Sequence, residues 1–279
     1  MIAALLSLNR LIVIAHRGGS KLRPENTLAA FDHACALGVD ALECDVHLSR
    51  DGEVVVIHDP TLDRTTDVQG PVGARSAAEL ARVDAGFHFG PAEGYPFRRQ
   101  GCGVPRLGDL LDRYPDVPLV VEIKGEAPDT AERTLAVIRA HDAMDRVVVG
   151  AFSHAAIDTV RRSAPGLPTS ASSREARAAL TRSYFFLTPK APQFQLFQMP
   201  FRLRGRQMFG RRFVRAARRA GLPVQAWIVD DPDEMRRLIE WGVTGIISDR
   251  PDIAIDVVKA EGTRHKAEVR NELRSSSED

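Results

Sequence analysis

The amino-acid sequence predicts an α/β protein with a (β/α)8 barrel. Short runs rich in Val, Ile and Leu alternate with stretches of helical periodicity along most of the chain, which is typical of strands and helices that build a parallel sheet. Eight of these runs are each followed by a helical stretch, which favours a closed barrel over an open doubly wound sheet. No P-loop or dinucleotide-binding glycine motif follows the first strand, so a nucleotide-binding fold is disfavoured.

The first half of the chain contains four of the predicted strands. In the helix after the first strand, Leu28, Phe31 and Cys35 recur at helical spacing. Either Asn26 or Thr27 can cap the N-terminus of this helix. The strands of this half are predicted at 11–14, 39–48, 119–124 and 147–152, and its later helices at 107–113, 129–141 and 155–163.

A hairpin and an insertion follow the second strand. Asp51 and Gly52 form a tight turn, and residues 53–58 return as an extra strand. Residues 60–105 are rich in Gly and Pro, and only residues 77–83 have a helical pattern. Because this segment is too long for an ordinary connection, we interpret it as a small insertion that lies over the strand ends.

The second half of the chain supplies the other four strands. They are predicted at 167–170, 194–198, 224–229 and 245–247, and the helices between and after them at 174–181, 207–220, 233–241 and 251–259. We assign residues 1–262 to the barrel domain. Residues 263–279 are charged and Ser-rich, and we expect them to form a disordered polar tail.

Composition excludes several function classes and leaves others open. The chain has 38 basic and 37 acidic residues among 279, so its global charge favours no nucleic-acid partner. Three cysteines without metal-ligand spacing fit unpaired thiols in a reducing compartment. The apolar start of the chain lacks a basic region ahead of it, so we predict no secretory signal and a cytoplasmic location. The sequence does not determine the oligomeric state.

Three acidic residues are predicted at the carboxyl ends of neighbouring strands. Glu43 and Asp45 lie two residues apart on one strand and therefore share a face, and Glu122 ends the next barrel strand. Three carboxylates in one cleft repel one another unless a cation joins them. Oxygen ligands without Cys or paired His are typical of a site for Mg²⁺ or Ca²⁺. The alternative is a network of salt bridges with Arg and Lys neighbours.

Basic and imidazole side chains follow the same strands. Arg17 and Lys124 would place a guanidinium and an ammonium beside the acids, a combination that suits phosphoryl oxygens. His16 and His58 each follow an apolar strand directly, and such a pair can take one proton and give another in general acid/base catalysis. The alternative for His16 and Arg17 is that they merely end a core strand, with the arginine solvated.

The motifs that carry these residues resemble those of the glycerophosphodiester phosphodiesterase family. They are the runs 16–19 (HRGG), 24–27 (PENT), 42–46 (LECDV), 58–59 (HD), 62–66 (LDRTT) and 122–124 (EIK), and the resemblance continues through 224–227 and 245–251. The resemblance implies a TIM barrel that hydrolyses glycerophosphodiesters to an alcohol and glycerol 3-phosphate. It implies metal binding by Glu43, Asp45 and Glu122, and acid/base catalysis by His16 and His58. It also implies phosphate contacts by Arg17 and Lys124.

Two features depart from the family pattern. The seventh strand has Trp227 followed by Asp230, where the family commonly has Asn. Trp227 is expected either to line the substrate pocket or to cap the barrel core. The second departure is the aromatic and Arg-rich segment 184–219, for which we consider weak contact with a lipid surface and, alternatively, a core strand followed by a solvated basic helix.

The sequence therefore predicts a phosphodiesterase that depends on a divalent cation. In one alternative, the same site hydrolyses lysophospholipids in the manner of a lysophospholipase D. In another, the barrel binds phosphodiesters or lipid headgroups without turning them over, although a pure binder has no use for two proton carriers. In a third, the residues at the strand ends only form ion pairs.

Overall fold

Strands and helices alternate in the computed structural model, which describes residues 1–125, 128–189 and 192–262. The strands are β1 (Ile12–Ala15), β2 (Ala41–Leu48), β3 (Val54–Val56), β4 (Leu119–Ile123), β5 (Val147–Ala151), β6 (Phe197–Pro200), β7 (Arg202–Leu203), β8 (Arg206–Gln207), β9 (Val224–Trp227) and β10 (Gly245–Ser248). The helices are α1 (Leu28–Leu37), α2 (Ala77–Leu80), α3 (Leu107–Arg113), α4 (Pro128–Ala140), α5 (His154–Ser163), α6 (Ser173–Tyr184), α7 (Arg211–Arg219) and α8 (Pro232–Trp241). A further helix covers residues 251–262.

Seven of these strands pair in parallel and form most of a barrel wall. Their order is β5, β4, β2, β1, β10, β9 and β6, and β3 lies antiparallel to β2 as the predicted return arm. Between β5 and β6, the strand predicted at 167–170 is reduced to two bridges, Val149 to Thr169 and Ser170 to Leu196. These bridges close the ring, and the predicted (β/α)8 barrel is confirmed.

The alternation of side chains along β2 separates an apolar outer face from a polar inner one. Leu42, Cys44 and Val46 are buried in the core cluster between the sheet and the helices. Glu43 and Asp45 point the other way, into the barrel. Below them the interior is filled by apolar residues from several strands, namely Ile12, Ile14, Ala41, Val120, Val148, Leu196 and Ile247. The carboxylates therefore lie above an apolar layer, at the carboxyl end of the barrel.

Two local features differ in detail from the sequence prediction. Thr27, and not Asn26, caps α1, since its side chain accepts a hydrogen bond from the Ala30 amide. The basic helix predicted to begin at 207 begins at Arg211, because the preceding residues form the hairpin β7–β8. Gly205, with a φ of 76°, provides the left-handed conformation that this hairpin turn needs.

The predicted insertion packs on β3 through a small apolar cluster of its own residues together with Val55 and Ile57. Its buried residues include Leu62, Val72 and Leu80. Its helix, α2, ends after a single turn and is shorter than the predicted 77–83. The insertion reaches the loop after β1 through an ion pair between Arg64 and Glu25. The tail predicted at 263–279 lies outside the described residues. Among the described helices, none has the length and apolar character needed to cross a membrane.

Candidate active site

Three carboxylates converge at the carboxyl end of the barrel, as the sequence predicts. Asp45 pairs with Glu122 across the β2–β4 register, and Glu43 lies two residues earlier on β2. One carboxylate oxygen from each of the three lies within 4.8 Å of the others. Glu43 and Asp45 are buried and Glu122 is half-buried. Hard cations prefer such an all-oxygen set.

Two cationic side chains both contact one member of this trio, Asp45. Lys124 Nζ lies 2.9 Å from Asp45 Oδ1 and also pairs with Glu122. Arg17 Nε lies 3.0 Å from the other oxygen, Asp45 Oδ2. The structure thus contains part of the alternative salt-bridge network, and Asp45 is its centre.

The remaining acids are less well neutralised. Burial and the negative charge of Asp45 raise the pKa of Glu43 above its usual range, and burial likewise raises the pKa of Glu122. Burial alone would also raise the pKa of Asp45, but the charges of Lys124 and Arg17 lower it instead. The site therefore has more negative charge than its own cations balance, which favours a bound cation over a closed salt-bridge network.

His16 is held by a carboxylate from the opposite end of the chain. Its Nδ1 lies 2.6 Å from Asp249 Oδ1, and its Nε2 lies 4.0 Å from Glu43 Oε2. Burial alone would lower the pKa of His16, but the charge of Glu43 and the contact with Asp249 raise it. A carboxylate at Nδ1 favours the proton on that nitrogen, and Nε2 is the ring nitrogen that faces Glu43 and the pocket.

Asp230 holds the backbone of Asp249 in place. Its Oδ1 accepts hydrogen bonds from the Asp249 amide at 2.9 Å and from Ser248 Oγ at 2.7 Å. Its other oxygen accepts from Lys21 Nζ at 2.7 Å. Asp230, which departs from the family pattern, therefore fixes the backbone of Asp249, whose carboxylate contacts His16. Lys21 balances the charge of Asp230.

His58 is anchored in the same way on the other side of the pocket. Its Nδ1 lies 2.6 Å from Asp59 Oδ1, and Asp59 also pairs with Arg64 of the insertion. Burial lowers the pKa of His58 and, together with the positive charges of Arg17 and Lys124, outweighs the opposing effects of Asp45 and Asp59. Both predicted histidines thus present a ring whose Nδ1 is fixed by a neighbouring carboxylate.

The cavity between these groups has a volume of about 120 Å³. All eight residues that the sequence singled out line it, including Trp227, which is half-buried. Phe152 stands edge-on to Trp227, with the ring centroids 5.8 Å apart, and Gln198 completes this side of the wall. Trp227 lines the pocket and also packs against the apolar layer inside the barrel, so both expectations for it fit the structure.

Sequence reasoning missed three features of the site. Asp249 lies in a run quoted for the resemblance, but its partner is 233 residues away, and no periodicity connects them. Asn26 was considered only as a helix cap, whereas its Nδ2 donates to Asp45 Oδ2 at 2.9 Å. Phe152 directly follows β5, and Gln198 lies within β6 at the end of the strand predicted at 194–198. A position near a strand end was the one signal available for them.

The aromatic residues of the segment 184–219 fall into two groups. Phe194, Phe197 and Phe201 are buried in the barrel core, as the alternative of a core strand expects. Phe185 and Phe186 are 70% and 69% exposed. Contact with a lipid surface therefore stays a prediction that concerns the exposed pair.

Comparison with known proteins identifies the family. The sequence model of the glycerophosphoryl diester phosphodiesterase family matches residues 16–253. The chain belongs to this family. A glycerophosphodiester phosphodiesterase of Caldanaerobacter subterraneus subsp. tengcongensis is 31% identical over 268 residues, which cover 90% of this chain and 99% of that protein.

Solved structures of the glycerophosphoryl diester phosphodiesterase family have the same fold. The crystal structure of glycerophosphodiester phosphodiesterase from Agrobacterium tumefaciens has a TM-score of 0.70 at 29% identity and covers 88% of this chain and 98% of that one. An Oleispira antarctica phosphodiesterase in complex with the product sn-glycerol-3-phosphate has a TM-score of 0.73 at 25% identity and covers 89% and 96%. The chain is therefore an enzyme, a phosphodiester hydrolase, as the resemblance implies.

Proposed function

We propose that this enzyme hydrolyses glycerophosphodiesters to an alcohol and sn-glycerol 3-phosphate with the help of one divalent cation. The observation that carries the proposal is the convergence of three carboxylates and two carboxylate-anchored histidines on one small cavity. The product bound by the Oleispira antarctica phosphodiesterase supports the same reaction. Water supplies the hydroxyl group that phosphorus gains and the proton that the departing alcohol gains.

Glu43, Asp45 and Glu122 would hold the cation. The donor set fits Mg²⁺ or Ca²⁺, since all three ligands are carboxylate oxygens within 4.8 Å of one another. Burial and neighbouring negative charge raise the pKa of Glu43, and a carboxylate in such surroundings is stabilised in its charged form by a bound cation. A divalent cation bound there supplies charge neutralisation for phosphate and lowers the pKa of an attacking hydroxyl.

Arg17 and Lys124 are placed to bind the phosphate group. Both side chains line the cavity and are largely buried, so their charges act in a medium where they are poorly screened. We infer that they donate hydrogen bonds to non-bridging phosphate oxygens and stabilise the negative charge that accumulates there in the transition state.

His16 and His58 would transfer the protons. One imidazole takes the proton of the attacking hydroxyl, and the other gives a proton to the leaving oxygen. The attacking group is either the 2-hydroxyl of the glycerol, which first forms a cyclic phosphate, or water itself, and the same pair serves both routes. Asp249 and Asp59 hold Nδ1 of the two rings and leave both Nε2 atoms available to the substrate.

Alanine substitution of either histidine tests the proposal. We expect His16→Ala and His58→Ala each to lower kcat for glycerophosphocholine by about 10²–10⁴-fold, the usual loss when a general acid or base is removed. His141→Ala is the matched control, because His141 also lies 2.6 Å from a carboxylate, that of Asp112, but outside the cavity. Full activity in either active-site variant would contradict the acid/base assignment, whereas folded wild-type protein that binds glycerophosphocholine without turnover would support a non-catalytic barrel.

A further inference from the structure

A second and larger cavity adjoins the catalytic pocket. Its volume is about 370 Å³, and it shares four lining residues with the catalytic pocket, namely Glu122, Phe152, Gln198 and Trp227. The edge-to-face pair of Phe152 and Trp227 therefore stands at the junction of the two spaces. A group attached to a phosphate in the first cavity therefore lies next to the second.

The lining of the second cavity is apolar away from this junction. It is formed mainly by Ala151, Ala171, Ala176, Leu180, Met199 and Met208. Among its described lining residues, Arg177 is the one charged side chain besides Glu122, and it is exposed at the rim. Ser170, Ser173 and Gln198 add a few polar groups, but most of the wall consists of aliphatic and thioether side chains and favours hydrocarbon.

The size of the cavity fits one chain. A dry apolar cavity of about 150 Å³ holds a benzene ring, so about 370 Å³ offers room for roughly a dozen carbon atoms. Methionine side chains such as Met199 and Met208 adapt their shape to flexible apolar ligands. The far end opens at Leu203 of the hairpin β7–β8, which is 50% exposed, so a longer chain could protrude there.

We propose that this second cavity binds a single hydrocarbon chain of the substrate, and that the enzyme prefers glycerophosphodiesters that carry such a chain. The proposal rests on the proposed function, since the chain is placed by the phosphate in the catalytic pocket. The chain is either the acyl group on the glycerol of a lysophospholipid or the alkyl group of the leaving alcohol. Both present the same hydrocarbon to the cavity, and the substrates below distinguish them.

Substrate series of increasing chain length provide the first test. We expect kcat/KM to rise by about fourfold or less for each added methylene, to exceed that of glycerophosphocholine at least about tenfold by eight carbons, and to level off at roughly twelve. One series carries the chain as 1-acyl lysophosphatidylcholine and the other as glycerophosphoalkanols, all below their micelle concentrations. A rise in one series supports the proposal and locates the chain, and the absence of a rise in both overturns it.

A pair of variants on α6 provides the second test. Ala176→Phe places a ring in the cavity, whereas Ala178→Phe places the same ring on the exposed side of the same helix. Relative to glycerophosphocholine, kcat/KM for the chain-bearing substrate should fall at least about tenfold in the first variant and stay within about twofold in the second. Equal ratios in the two variants would contradict a chain site at this place.

Binding without turnover separates this proposal from the proposed function. Dodecylphosphocholine, which lacks the glycerol hydroxyls, is titrated calorimetrically below its micelle concentration into wild type and both variants. We expect binding with a negative heat-capacity change in wild type and Ala178→Phe, and at least about tenfold weaker binding in Ala176→Phe. Chain binding without hydrolysis of any diester would overturn the proposed function alone. Hydrolysis of glycerophosphocholine without chain binding or chain-length dependence would overturn the chain site alone.

Discussion

Asp249 is the residue on which the geometry of His16 depends. Its carboxylate touches Nδ1 of the imidazole, and its own amide is fixed by Asp230. It lines no part of the catalytic cavity, so it acts through His16 as a positioning residue. The comparable carboxylate of a serine-protease triad fixes the tautomer and orientation of its histidine in this way.

We expect Asp249→Asn to lower kcat by about 10²–10⁴-fold while KM for glycerophosphocholine changes only a few-fold, because the imidazole loses its fixed tautomer and the phosphate contacts remain. Steady-state kinetics with glycerophosphocholine measure this split. Asp233→Asn is the control, since Asp233 is an exposed carboxylate on α8 that pairs with Arg236. An Asp249→Asn enzyme with unchanged kcat, or with an effect on KM alone, would contradict the positioning role.

Whether these residues could be predicted depends on how far apart in the sequence the contacting residues lie. Glu43 and Asp45 could be assigned to one face because strand alternation fixes their relation within two residues. Asp249 could not, since its contact with His16 depends on β1 and β10 being neighbours in the closed barrel. Asn26 was misinterpreted for a local reason. An Asn side chain just before a helix satisfies the capping pattern. The backbone of Asn26, however, has a φ of 57°, which directs this side chain to Asp45 instead.

At the scale of elements, α5 and α6 are joined by a paired Arg and Glu. Arg161 donates to both carboxylate oxygens of Glu175, at 2.7 and 3.1 Å. The same carboxylate accepts from the amide and hydroxyl of Ser172 and so caps α6. Burial alone would raise the pKa of Glu175, but the hydrogen bonds from Arg161 and Ser172 outweigh it and lower the pKa.

This lowered pKa makes the contribution of Glu175 to stability dependent on pH. A carboxylate whose pKa is lower in the folded state stabilises the fold above its unfolded pKa, and this contribution is lost as the pH falls through the folded pKa. We expect Glu175→Gln to lower the free energy of unfolding by about 1–3 kcal/mol at pH 7 and by less in acid. Urea unfolding of wild type and Glu175→Gln between pH 7 and pH 3 measures whether their free energies of unfolding converge in acid. Glu132→Gln, on the exposed face of α4, is the control, and parallel pH curves for wild type and Glu175→Gln would contradict the expectation.

The elements that the sequence predicted well are those with long regular patterns. The strands of the first half and helices such as α5 and α8 lie within a few residues of their predicted positions. The strand predicted at 167–170 pairs only through single bridges. The hairpin β7–β8 was not predicted, and its last residue, Gln207, was included in the helix predicted at 207–220 because Arg and Gln are good helix formers. In both cases the observed structure depends on which strands pair with each other, and the sequence alone does not specify that pairing.

At the scale of the whole molecule, cation binding should couple to stability. The site joins β2 and β4 through carboxylates that repel one another, so an ion that binds only the folded state stabilises it by mass action. We expect Mg²⁺ or Ca²⁺ at about a hundred times its Kd to raise Tm by on the order of 5 °C, and a chelator to reverse the gain and abolish turnover. Differential scanning calorimetry measures the shift. The cation should raise Tm by less in Glu122→Gln than in wild type, and by the same amount as in wild type in the control Glu132→Gln. Turnover that persists in chelator would contradict the cation site.

The narrow closure of the barrel between β5 and β6 has a dynamic consequence. Residues 168–171 are joined to β5 by two main-chain hydrogen bonds, at Val149, and to the chain before β6 by two more, at Gln195 and Leu196. Amide protons in a seam with so few partners should exchange with deuterium sooner than those of β1, which pairs with β10 over four residues. Ser170 and Ala171 of this seam also line the apolar cavity. A hydrocarbon chain bound there should slow deuterium uptake over 168–171, so that this seam reports whether the cavity is occupied.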